Sequence, residues 1–307
     1  MKVLLTGATG FIGSHLIKQL PSVDWLAVVR SPKHNHSVET LLAQSSWGVD
    51  EWCYHLLNVN VVVHCAGLAH CEASQTDLQR VNVDLSVTLA RAAAQAGVKR
   101  FLFLSSVKVI GEATIADTPF TSNSPYQPGD DYGRSKRDAE LCLQKIAADT
   151  GMELVIIRPP LVYGPGVKAN FHLLQKIASL PVPLPFASIN NRRDMVAIEN
   201  LCGLIECCLI HPAAAGGCFL VSDGKAYSLA GLLTAMRFSQ GRRRWLFGVP
   251  SFWLLGALRL LGCGAMAERL MGDLELDITE TKRLLGWQPV LTLEQALKKM
   301  NTGNKTT

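Results

Sequence analysis

The chain has 307 residues, 48% of them hydrophobic and 18% charged, enough apolar material for one large core or two modest ones, and its length suggests about two domains. With 30 Lys and Arg against 25 Asp and Glu, the net charge is +5, and the charges read as scattered rather than blocked, which excludes a basic nucleic-acid arm and leaves room for a mildly basic pocket for an anionic small molecule. Nine cysteines, an odd number without C-x-x-C spacing, indicate neither a disulfide frame nor a zinc site, and reduced thiols in apolar stretches suit a cytoplasmic protein without a bound metal.

"MKVLLTGATG" opens with an apolar run that glycines interrupt too early for a signal peptide, so it is expected to form a first strand followed by a helix from Phe11 to Leu20. Between them stand Gly7, Gly10 and Gly13. Glycines there permit a tight turn, let the backbone approach a pyrophosphate and bring the helix N-terminus to the phosphates, which makes Gly7, Thr9, Gly10, Phe11, Ile12 and Gly13 candidate dinucleotide contacts. The next strand, "WLAVV", tests which dinucleotide: an acidic residue at its end suits a ribose hydroxyl, an arginine a 2′-phosphate. It ends in Arg30, followed by Ser31 and Lys33, so NADP is favoured, with NAD as the alternative.

Further along come "VNVVVH", a helical pattern from Leu78 to Ala96, "RFLFLSS", a helix from Tyr132 to Thr150 and "ELVIIRPP". Fully apolar strands separated by helices imply an α/β fold, a doubly wound parallel sheet covered on both faces. Beyond it the pattern loosens into "RPPLVYGPGVKANF", helices near Phe171–Ser179, 198–210 and 228–238, and a short strand, "CFLVSD". The expected division is a dinucleotide-binding Rossmann domain over residues 1–165 and a smaller α+β substrate-binding region over 166–307, some of whose segments return to the sheet. "SFWLLGALRLLGCGAMA", residues 251–267, is too short to span a membrane and carries Arg259. It is read as a buried or pocket-covering helix, with a peripheral membrane contact as the alternative.

"DDYGRSKRDAE" places Tyr132 and Lys136 on one helix face, a turn apart. The expectation is that the lysine's charge lowers the phenol's pKa and makes Tyr132 a usable acid or base. Ser105 and Ser106 stand at the end of the preceding strand, where a hydroxyl would hold a substrate oxygen.

Together "TGATGFIG", "VVVHCAG", "VNV", "LSSVKVIGE", "YGRSK" and "RPPLVYGPG", with a late "LLGWQP", resemble the extended short-chain dehydrogenase/reductase family of nucleotide-sugar epimerases, dehydratases and reductases. The resemblance implies that Tyr132 moves the proton of a sugar hydroxyl while a hydride passes between that carbon and a nicotinamide, with Ser106 steadying the oxygen and Lys136 also holding the nicotinamide ribose. It places His64, Ala66, Gly67 and Pro159 along the cofactor, with the His64 side chain in a packing role and Asn82 ordering the region by hydrogen bonds. Tyr163 is assigned either to the nicotinamide or to structure. Dehydratases carry an acidic pair where this chain has Val107 and Lys108, so elimination is disfavoured, and Ile110 stands where the family has a tyrosine near the substrate. Ser106, Lys108, Asn170, Arg193 and Arg269 are the implied substrate contacts, Arg193 foremost for the diphosphate of a UDP-linked sugar. Two activities at hexose C4 remain, and the preferred one is reduction of a UDP-4-keto-6-deoxy-hexosamine, as in bacterial O-antigen and lipopolysaccharide biosynthesis. The alternatives are a UDP-glucose or UDP-N-acetylglucosamine 4-epimerase and, from another class, a dinucleotide sensor without catalysis. A homodimer is also common in the family.

Overall fold

A computed structural model describes residues 1–31, 38–44, 46–69, 73–167, 169–260 and 264–303. In chain order the elements are β1 (Lys2–Thr6), α1 (Phe11–Gln19), β2 (Asp24–Val29), β3 (Glu39–Leu42), α2 (Val49–Leu56), β4 (Val61–His64), α3 (Gln75–Leu78), a π-helical stretch (Gln79–Asp84), α4 (Leu85–Gln95), β5 (Arg100–Leu104), a short 3-10 turn (Val107–Val109) and α5 (Asp131–Thr150). There follow β6 (Glu153–Arg158), β7 (Leu161–Tyr163), α6 (Ala169–Ser179), β8 (Met195–Ala197), α7 (Ile198–Ile210), β9 (Cys218–Leu220), α8 (Leu229–Ser239), α9 (Ser251–Leu260), α10 (Gly264–Met271), α11 (Thr279–Leu285) and α12 (Leu293–Gly303).

Seven strands form one parallel sheet in the order β3-β2-β1-β4-β5-β6-β9. Successive side chains alternate across it. Val3 and Leu5 face a core shared with Leu16, Leu102, Ile157 and Leu201, whereas Leu4 faces one shared with Val62, Phe101, Phe103, Leu89 and Leu143. Helices therefore cover both faces, α1 and α7 on one side and α2, α4 and α5 on the other, and the runs of Val, Leu, Ile and Phe follow from burial on two sides. The chain winds outward from β1 to β2 and β3, then returns to β4 on the other flank, so the switch point lies between β1 and β4. The carboxyl ends of these strands carry Gly7, Arg30, Ala66, Ser106 and Pro159, which brings distant candidates to a single edge.

A third core, with Tyr163, Phe171, Leu174, Leu233, Leu254 and Leu297, belongs to the later part of the chain, beside the two-stranded parallel sheet β7-β8. β9 pairs with β6 in the main sheet, and α7 packs on α1. Among the described residues no helix is long and apolar enough to cross a membrane. Of the expected buried or pocket-covering helix over 251–267, α9 buries Leu254 but leaves Phe252 and Trp253 exposed, so it is not buried throughout.

Candidate active site

Gly7 has φ +72°, and a Cβ there would lie 2.7 Å from the Ala66 nitrogen, while a Cβ on Gly13 would overlap the Gly7 carbonyl. Only residues without side chains let the loop sit this close to β4 and to α1. Gly10 caps α1 without a side-chain hydrogen bond, and the first turn holds no acidic residue, so its N–H groups are not taken by side chains of the cap. That is the donor set a pyrophosphate needs, so the loop fits a dinucleotide. Thr9 is exposed, and Phe11 and Ile12 are half-buried beside it. Arg30 is exposed at the end of β2, while Lys33 lies outside the described residues.

Behind the loop runs a buried hydrogen-bond chain. Ser86 donates to the Asn82 carbonyl at 2.7 Å, so its oxygen accepts from His64 Nε2 at 2.9 Å. His64 Nδ1 then accepts from the Thr6 hydroxyl at 2.7 Å, and the Ala66 N–H donates to Thr6 Oγ1. This network assigns the Nε2–H tautomer, and burial, with the nearby Lys136 charge, lowers the His64 pKa to about 3. The fully buried His64 side chain is a strut between β1, β4 and α4, which corrects the inclusion of His64 among cofactor contacts. Asn82, in the π-helical stretch, donates to the Leu68 carbonyl and to Ser135 Oγ and accepts from the Leu68 N–H, tying the loop after β4 to α5. Ala66 is half-buried in that loop and Gly67 exposed.

Tyr132 and Lys136 lie on α5, whose N-terminus is capped by Asp130 accepting from the Gly133 N–H at 2.8 Å. Lys136 donates to the Leu104 carbonyl at 2.8 Å and sits 4.4 Å above the Phe103 ring. Burial lowers its pKa to about 8, against the opposing influence of Cys65 and Glu140. Burial raises the Tyr132 phenol to about 12, a hydrogen bond with Ser106 lowers it, and the Asp130 charge raises it. The expected lowering of Tyr132 by Lys136 is therefore corrected: the ammonium is committed to β5, and Ser106 supplies the acidifying contact. Ser106 is buried and caps the 3-10 turn by accepting from the Lys108 N–H. Pro159 is buried, its carbonyl accepting from the Val107 N–H at 3.0 Å, which fixes the turn after β5 against the end of β6.

The candidate substrate residues gather at the mouth. Lys108 Nζ is 2.5 Å from Asp130 and 3.0 Å from Glu112, and lies 5.9 Å from the centre of the Tyr132 ring. Arg269 is 3.4 Å from Glu112 and 3.7 Å from Asp130. Arg193 donates to the Gly272 carbonyl, and its pKa is lowered first by burial, then opposed by Glu112 and reinforced by Arg269. Lys108, Arg193 and Arg269 thus share one neighbourhood with two carboxylates. Asn170 lies on α6, but its side chain is outside the described residues. Tyr163 is fully buried, stacked on Phe171 and donating to Asp223 at 2.6 Å, so it is structural and does not reach a nicotinamide. Ile110 is buried in the main core rather than lining a sugar pocket.

Sequence reasoning missed Glu140, which continues the spacing of Tyr132 and Lys136 by one more turn and is fully buried. It accepts from Arg158 Nη2 at 2.6 Å, from the Tyr126 hydroxyl at 2.8 Å and from Ser105. The signal was the four-residue step 132, 136, 140. Asp130 was missed because its charged partners, Lys108 and Arg269, are distant in sequence, whereas the four-residue step from Lys108 to Glu112 was a local signal that went unused.

The model of the NAD dependent epimerase/dehydratase family matches residues 3–221. A UDP-glucose 4-epimerase of Vibrio cholerae is 42% identical over 305 residues, covering 96% of this chain and 93% of that protein. The UDP-glucuronic acid 4-epimerase of Bacillus cereus, solved in complex with NAD, superposes with a TM-score of 0.78 at 18% identity, covering 100% of this chain and 99% of the other. The UDP-glucose 4-epimerase of Thermotoga maritima, solved with UDP-glucose, does so with 0.77 at 20% identity, covering 100% and 99%. The chain is thus an enzyme of the extended short-chain dehydrogenase/reductase type and belongs to the NAD dependent epimerase/dehydratase family.

Proposed function

We propose that the protein is a UDP-sugar 4-epimerase that inverts C4 of a UDP-glucose or UDP-N-acetylglucosamine type substrate with NAD. This reverses the preference for a 4-keto reductase drawn from sequence. The observation that carries it is the 42% identity, over nearly the whole of both chains, to the Vibrio cholerae UDP-glucose 4-epimerase.

Gly7, Gly10 and Gly13 hold the pyrophosphate on the open first turn of α1, with Thr9, Phe11 and Ile12 beside it. A bound nicotinamide dinucleotide supplies the hydride acceptor and donor. Tyr132 takes the proton of the C4 hydroxyl at its phenolic oxygen and returns it after the opposite face of the sugar is presented. Ser106 holds the same oxygen and, by its hydrogen bond to Tyr132, favours the phenolate. Lys136, anchored on the Leu104 carbonyl, would hold the nicotinamide ribose. Arg193, with Arg269 and Lys108, meets the substrate diphosphate, a role suited to guanidinium forks.

Incubation of UDP-galactose or UDP-N-acetylgalactosamine with the enzyme and catalytic NAD should give the gluco epimer without net change in absorbance at the reduced-nicotinamide band. Stoichiometric NADPH consumption with a UDP-4-keto sugar, and no interconversion, would instead establish the reductase. The exposed Arg30 at the end of β2 is the observation favouring that second reading.

A further inference from the structure

We propose that the face built by residues 238–260 docks on an anionic phospholipid surface, its aromatic side chains entering the headgroup boundary and its arginines pairing with lipid phosphates. The first observation is charge. From Gly224 to Ala267 the chain carries Lys225, Arg237, Arg242, Arg243, Arg244 and Arg259 and no Asp or Glu, so the six cations of this stretch exceed the net +5 of the entire molecule. Among the described residues Arg242, Arg243 and Arg244 form no ion pair, whereas Arg259 is held by Glu268.

The second observation is what stands beside those cations. Phe238, Trp245, Phe247, Phe252 at 68%, Trp253 at 67% and Leu260 at 91% are exposed. Single exposed apolar residues are ordinary, but a run of them on one face interleaved with arginines marks an interaction surface. Their presentation is built into the backbone. The Leu184 N–H donates to the Trp245 carbonyl at 3.0 Å, and the Phe247 N–H donates to the Leu184 carbonyl at 2.9 Å. Buried Arg237 donates from Nε to the Arg243 carbonyl at 2.6 Å. With the strand-like segment pinned in this way, Leu246 packs on the third core, so its neighbours Trp245 and Phe247 turn to the opposite, solvent side. On α9, Leu254 is buried in the third core while Phe252 and Trp253 are exposed.

Arg243 lies over the Trp245 ring at 5.0 Å and Arg244 over Phe238 at 4.3 Å, which stacks two of the cations on two of the exposed rings. Tryptophan and phenylalanine beside arginine, without acids, is the composition of an element that lies in a membrane interface. Protein-binding patches also enrich aromatics and arginine, so the choice of an anionic lipid surface rests on the absence of any acid across residues 224–267 and the three arginines without an ion pair among the described residues. α9 packs against α10, which carries Arg269, so this face lies one helix from the candidate substrate cluster.

The test is cosedimentation of the full chain with vesicles of phosphatidylcholine alone and of phosphatidylcholine mixed with phosphatidylglycerol, at low and high salt, with tryptophan emission recorded. Partition onto the anionic vesicles only, weakened by salt and accompanied by a blue shift, is the expected result. At roughly fivefold per arginine at a charged surface, Arg242→Gln, Arg243→Gln and Arg244→Gln together should lower partition about 100-fold. Phe252→Ser with Trp253→Ser should weaken partition and diminish the blue shift, Trp245 supplying what remains, and both variants should keep the denaturation midpoint and circular dichroism of the parent. No partition at low salt overturns the proposal, as does partition unchanged in the arginine variant. A self-associated parent that Phe252→Ser and Trp253→Ser render monomeric, without vesicle binding, overturns it in favour of a second copy of the chain.

Discussion

Tyr132 is held as a neutral phenol with its pKa raised to about 12 by burial, and its acidifying partner is the Ser106 hydroxyl rather than the Lys136 ammonium. Tyr132→Phe should therefore lower kcat by about 10²–10⁴-fold, the usual worth of a positioned acid-base group, while dinucleotide affinity measured by fluorescence titration is retained. His64 makes a second residue-scale prediction. Its folded pKa of about 3 lies below the unfolded value near 6.5, so between those values the unfolded chain binds a proton that the folded chain refuses. Stability from His64 is thus present above the unfolded pKa and lost as pH falls below it. Urea unfolding at pH 7 and pH 5 should differ by about 2 kcal/mol from this residue, a loss that His64→Gln removes.

At the scale of elements, α5 carries the proposed acid-base residue Tyr132 and is itself fastened from behind. Glu140, two turns beyond Tyr132, is bound by Arg158 from the end of β6, with Tyr126 and Ser105 completing the carboxylate's partners. Breaking one member of a buried pair strands the other charge, so Glu140→Gln should lower unfolding free energy by about 3–5 kcal/mol in urea titrations. Adding Arg158→Met to that variant should cost much less than the sum of the single changes, because the stranded guanidinium is gone. The alternation of fully apolar strands with amphipathic helices made β1, β2, β4, β5 and β6 legible in the sequence, as did α1, α5 and α7. β3 was not, since "ETLL" at the sheet edge is half-exposed and shows neither alternation nor a continuous apolar run. The expected single helix from Leu78 to Ala96 contains a π-helical stretch at Gln79–Asp84, where Asn82 turns inward to bond Leu68 and Ser135. A sequence period cannot register that shift, because it is set by partners on other elements.

On the scale of the whole molecule, the carboxyl edge of the sheet holds the dinucleotide loop on one side and the Lys108, Arg193 and Arg269 neighbourhood on the other. Two ligands bound to the folded state should add stability separately. NAD at about 100 times its Kd should contribute roughly 2.7 kcal/mol, and UDP a further increment, both read as rises in Tm. Arg193→Ala should abolish the UDP increment and keep that of NAD. Charge also changes meaning at this scale. Along the sequence the cations look scattered, yet the acids are absent from residues 224–267, and the fold sets the arginines of that stretch beside outward-facing rings.

By itself the sequence determined most of the sheet and the glycine loop, because these rest on contacts a few residues apart or on strands buried along their length, and it pointed to the trio of Ser106, Tyr132 and Lys136 as candidates. Tertiary structure alone decided how that trio is wired. It assigned Lys136 to the Leu104 carbonyl and Ser106 to the phenol, enclosed His64 and Tyr163, matched Lys108 with Asp130 and Arg269 with Glu112 and Asp130, and left Phe252 and Trp253 facing outward. Those outcomes depend on distances between elements remote along the chain, and ionic and desolvation energies follow distance and burial, neither of which a linear pattern of residue types encodes.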